Sequence, residues 1–128
     1  MQLANGFIYR YVENLYEVVN DETLKFSAQV NYAIQKNLRN LLTIYQELEQ
    51  ERLRVCREYS TGLDDDGVFL FEDAEKRIKA EKELNDLMFD TQEVPIIKFK
   101  IEALGDAQLT SRQMDTLMLM VKDEEGQE

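Results

Sequence analysis

The chain has 128 residues, 44% hydrophobic and 32% charged, which bounds it to about one globular domain with a modest core and no apolar run near the ~20 residues of a bilayer span. Its net charge of −11 opposes contact with a nucleic-acid backbone, which needs cations, and favours a basic protein partner. With no histidine, Ser/His and Cys/His nucleophile pairs and histidine-containing zinc or di-iron sites are excluded, and the single Cys56 forms no internal disulfide, as expected in a reducing cytosol.

The opening Met1-Gln2-Leu3-Ala4-Asn5-Gly6 lacks the basic flank and apolar core of a signal peptide. A first helix is predicted from Gly6 to Val19, with Asn5 as its N-cap. Phe7, Ile8, Tyr11, Val12, Leu15 and Val19 recur at helical spacing on one face. Tyr9 and Tyr16 fall on another side and are candidate contact residues. Asn20-Asp21-Glu22-Thr23 ends the pattern with turn formers.

From Phe26 to Tyr59 the chain has no Gly and no Pro. At a rise of ~1.5 Å per residue this predicts a helical rod of roughly 50 Å. Val30, Ile34, Leu41, Ile44, Leu48 and Val55 form its seam, which Asn37 and Glu51 interrupt. A second stripe through Ala33, Leu38, Leu42, Tyr45 and Tyr59 widens the face. That width fits a helix inside a bundle better than a coiled-coil seam. Cys56 reads as a small apolar residue, with Arg54 and Arg57 nearby.

Thr61-Gly62 stops the rod, and an acidic stretch follows. Residues 61 to 75 hold six carboxylates, Asp64, Asp65, Asp66, Glu72, Asp73 and Glu75, and no cation. Aligned as a calcium loop with Gly67 at its sixth position, the stretch has Gly62 where the first ligand belongs and Asp73 where a bidentate Glu belongs. No metal site is therefore expected, and a solvated turn is the simpler reading. The six carboxylates also form a candidate partner surface. Their density approximates that of DNA phosphates, spaced ~3.4 Å along each strand. The plain alternative is a loop that keeps the chain soluble.

Val68-Phe69-Leu70-Phe71 predicts a short strand or plug. A third helix follows from about Asp73 to Phe89, with Ala74, Ile78, Leu84, Leu87 and Met88 at its apolar positions. Glu72 with Lys76, Glu75 with Lys79, and Lys82 with Asp86 form pairs at helical spacing. Val94 to Glu102 alternates apolar and basic residues after Pro95 and predicts a strand. Thr110 and Gln113 predict a capping box for a last helix reaching Val121. Met114, Leu117, Met118 and Val121 are expected to face inward, leaving Leu119 as its exposed apolar residue. Residues 1 to 121 thus form one helical domain, and 122 to 128 an acidic tail expected to fray.

The first and third helices span ~20 and ~25 Å and join the rod by short links. Both should run antiparallel to it, each covering half. The start of one then meets the end of the other, and residues 1–4 are predicted to pair with 95–101 as a small β-ribbon. The expected class is mainly α (α+β): a long central helix, two shorter antiparallel helices, the ribbon and a short C-terminal helix.

The order of these features resembles a family of small phage- and prophage-encoded proteins grouped as a domain of unknown function. The likeness runs through Met1-Gln2-Leu3-Ala4-Asn5, Leu24-Lys25-Phe26, the long helix to Glu58-Tyr59, the Asp-Gly turn, Lys82-Glu83-Leu84, Glu93-Val94-Pro95-Ile96 and the helix after Leu109-Thr110. It implies a phage origin and brings no active site. The expected function is a non-enzymatic accessory protein, without cofactor, in the host cytoplasm. It would bind and inhibit or modulate a nucleic-acid-binding host protein such as a restriction or CRISPR nuclease, through Asp64, Asp65, Asp66, Glu72, Asp73 and Glu75 with Tyr9, Tyr16 and Leu119. The alternative is a virion or tail-assembly helper. Neither a membrane nor direct nucleic acid is an expected partner; a homodimer is, through apolar surface left on the long helix.

Overall fold

The structure is a computed structural model, and residues 1–122 are described. In chain order it comprises strand β1 (Gln2–Ala4), helix α1 (Asn5–Val19), helix α2 (Ala28–Tyr59), strands β2 (Gly62–Leu63) and β3 (Phe69–Leu70), helix α3 (Ala74–Phe89), strand β4 (Thr91–Glu93), a 3-10 turn (Ile101–Leu104) and helix α4 (Ser111–Met118). The architecture is mainly helical around the rod α2, with small antiparallel two-stranded pairings.

The rod starts where Ser27 accepts a hydrogen bond from the Val30 amide. It ends at Ser60, beyond which Thr61 turns the chain into β2. Helix α1 runs antiparallel to it: Tyr9 meets Tyr45 and Glu49, whereas Val18 and Val19 lie beside Asn31 and Ile34. Helix α3 returns along the second half, with Glu83 against Arg54. The two short helices meet at mid-rod, where Asn5 Nδ2 donates to the Leu87 carbonyl at 2.9 Å. Gly6 lets the two helices approach closely there. A Cβ at this position would lie 3.3 Å from the Met88 carbonyl oxygen. Asn5 is therefore the first residue of α1 and not its cap; Ala4 holds the cap position.

The N-terminal strand forms its ribbon one step upstream of the predicted partner. Gln2, Leu3 and Ala4 pair with Glu93, Gln92 and Thr91, not with 95–101. The segment after Pro95 is not a strand. Asn37, fully buried, takes both backbone groups of Ile97: Nδ2 donates to its carbonyl and Oδ1 accepts from its amide, each at 2.8 Å. Phe99 then bonds Met120 and Lys122 through its amide and carbonyl. The backbone groups of Ile97 thus pair with a side chain rather than a ladder, and Phe99 forms an isolated parallel bridge with Val121 instead of joining the ribbon.

The main core lies between α1, the first half of α2, the 94–104 segment and α4. Ile8, Leu15, Val30, Leu41, Val94, Phe99, Leu117 and Met120 are its deepest side chains. Below it, Leu48, Val55, Cys56 and Ala80 are buried between α2 and α3. Tyr11 donates its phenol to the Thr116 carbonyl and ties α1 to α4. The capping box on α4 is present, with Thr110 and Gln113 each bonding the other's amide. Met118 is exposed and Leu119 half-buried, the reverse of the expectation, because α4 ends at Met118 and the chain turns Leu119 toward the core. The Lys122 amide donates to the Phe99 carbonyl at 2.8 Å; the rest of the predicted acidic tail lies outside the described residues.

Candidate functional site

Beyond the rod the chain forms a hairpin that stands clear of the helices. Leu63 pairs with Phe69 and Gly62 with Leu70. Asp64 accepts hydrogen bonds from the amides of Asp66 and Val68 at 2.8 and 2.9 Å. Gly67 takes a positive φ of 82° that closes the turn, a conformation glycine adopts without steric cost. Thr61 fixes the base by accepting from the Glu72 amide at 3.3 Å. Residues 61 to 68 are all exposed.

The six acidic residues therefore divide by role. Asp64 builds the turn. Asp73 caps α3, accepting from the amides of Glu75 and Lys76 at 3.0 and 3.1 Å. Asp65, Asp66, Glu72 and Glu75 project into solvent with no ion pair among the described residues. Beside them stand Leu63 and Val68, each 58% exposed. Sequence reasoning missed these two. Their signal was an aliphatic residue on either side of an Asp-Asp-Asp-Gly turn too tight to fold them inward.

The remaining predicted contact residues are dispersed. Tyr16 is exposed on α1. Tyr9 is not a free contact residue. It is half-buried, stacked on Tyr45 with ring centroids 4.7 Å apart, and its phenol donates to Glu49. Arg52 clamps the same carboxylate at 2.8 and 2.9 Å. The hydrogen bonds from Arg52 and Tyr9 hold the Glu49 carboxyl down to about 2. Burial, then the Glu49 carboxylate, pushes the Tyr9 phenol well above its ordinary value. The arginine facing Cys56 is also Arg52, at 3.9 Å, and not Arg54 or Arg57; Arg54 is bound to Glu51, Glu58 and Glu83. On α3 the ion pairs within reach are Lys82–Asp86 at 3.0 Å and Arg77–Glu81 at 3.7 Å.

Two open clefts flank Phe7. One, of about 500 Å³, lies between α1 and α3, lined by Gly6, Arg10, Asn85, Met88 and Phe89 among others. The second lies between α1 and α4 and reaches Met118 and Leu119. Among the described residues no group of three or more Cys, Asp or Glu side chains is disposed to hold a metal ion. No helix among the described residues is long and apolar enough to cross a membrane.

Comparison with protein-family models, with curated proteins and with solved structures gave no match.

Proposed function

We propose that this protein is a phage-encoded, non-enzymatic accessory protein that binds a basic host protein through the 61–75 hairpin and the first turn of α3. The observation that carries this reading is the exposure of Leu63 and Val68 beside Asp65, Asp66, Glu72 and Glu75. A loop that serves solubility alone gains nothing from two exposed aliphatic side chains. An apolar centre inside a charged rim is the anatomy of a protein interface. Direct nucleic-acid binding is disfavoured by a net charge of −11.

The partner class that fits is a nucleic-acid-binding factor in the host cytoplasm, restriction and CRISPR nucleases included. A groove lined with Lys and Arg for phosphates is complementary to a carboxylate cluster, and occupying it would inhibit the factor. The phage origin rests on the sequence resemblance. The test is capture from a bacterial lysate on immobilised protein, with elution by duplex DNA. The expected result is a basic nucleic-acid-binding protein released by DNA and by salt. Capture of virion proteins that DNA does not release would favour the assembly-helper role instead.

A further inference from the structure

Phe89 is 82% exposed at the end of α3 and lines the cleft between α1 and α3. Met88 and Phe7 continue the apolar surface, and Phe7 carries it over α1 toward Met118. An exposed phenylalanine beside an open, partly apolar cleft is the kind of surface that marks an interaction site.

The charges around it complement one another. Arg10 lines the cleft, and Asp90 is the residue after Phe89, just past the end of α3. Both are exposed, and neither carries an ion pair among the described residues. A projecting Phe89 beside an open cleft gives one patch both a knob and a recess, and Arg10 and Asp90 add charges of opposite sign; these are the elements from which an isologous two-fold contact is built.

We propose that this cleft is the interface of a symmetric homodimer: Phe89 of each copy enters the cleft of the other, and Arg10 of each faces Asp90 of the other. The acidic hairpins do not oppose this pairing. The cleft meets the rod at Tyr45 and Glu49 through Tyr9, whereas the hairpin begins after Ser60. At ~1.5 Å per residue that separation is ~20 Å, more than twice the ~8 Å screening length at physiological salt. The inference is independent of the hairpin's partner, and a dimer would present two hairpins to it.

Sedimentation velocity on the full chain over a concentration series tests the pairing. The wild type should associate to a dimer, and Phe89→Asp should weaken that association by roughly 30-fold or more, as for a central interface anchor. Its thermal melt by circular dichroism should be unchanged once extrapolated to low concentration. Arg10→Asp and Asp90→Arg should each weaken the dimer, and the two together should restore it. A wild type that stays monomeric at every concentration overturns the proposal. So does a dimer indifferent to Phe89→Asp, or a charge swap that fails to rescue.

Discussion

Asn37 shows how one residue can decide the path of a segment. The rod offers a polar position in an otherwise apolar seam, and that position captures the Ile97 amide and carbonyl at 2.8 Å each. Replacing it by leucine, which keeps the γ-branched shape but has no hydrogen-bonding atoms, leaves the part-buried Ile97 amide and carbonyl unpaired. We expect Asn37→Leu to cost roughly 3 kcal/mol in urea unfolding and to raise hydrogen exchange at Ile97. The interruption of the seam was visible in the sequence; its partner was not, since nothing local links position 37 to 97. Glu49 gives a pH signature. Its folded value of about 2 lies below the ~4.3 of an unfolded chain. The stability it contributes is therefore present above that unfolded value and is lost as pH falls toward 2. Glu49→Gln should lower stability by about 1 kcal/mol at neutral pH, and the difference from wild type should shrink between pH 4.5 and 2 in thermal melts. Tyr9→Phe should show a similar loss at neutral pH, because stacking on Tyr45 survives the missing hydroxyl.

At the scale of elements, helices were legible and sheet partners were not. Periodicity placed α1, the rod and α3 to within a residue or two, and Thr110 with Gln113 marked the start of α4. Thr110→Ala should cost about 1 kcal/mol of thermal stability. The ribbon was foreseen from helix lengths, but its partner is polar Thr91-Gln92-Glu93, which carries no alternating apolar signal. The alternating segment 96–101 imitates a strand because Ile97 and Phe99 face inward from an extended chain, while helix α2 and the α4 terminus take its hydrogen bonds. The apolar positions of α3 misled in a different way. Ala80 is its single fully buried residue, and at ~100° per residue both Ile78 and Phe89 turn to the far side. Gly6→Leu should destabilise by about 1–3 kcal/mol through overpacking against Met88. The readout is again urea unfolding.

Across the whole molecule, the rod separates two surfaces. Mid-rod, where α1 and α3 meet, the chain exposes Phe7 and Phe89, with half-buried Met88 between them, around an open cleft. At the rod's C-terminal end it exposes the acidic hairpin. Composition and charge pointed to the second surface, since six carboxylates without a cation stand out in any reading. They did not distinguish the carboxylates that build the turn and cap the helix from those free to bind. The first surface was hidden because its residues come from separate helices and converge only once both lie on the rod. The proposed function makes the hairpin a protein-binding element and not a solubilising loop. Its most direct test is quantitative capture from a bacterial lysate by the wild type and by a variant carrying Leu63→Ser, Asp65→Lys, Asp66→Lys and Val68→Ser, read by mass spectrometry. These side chains are exposed and Asp64 is retained, so the fold should persist by circular dichroism. The variant is expected to lose the proteins that the wild type captures. Capture of the same proteins in the same amounts by both would contradict it.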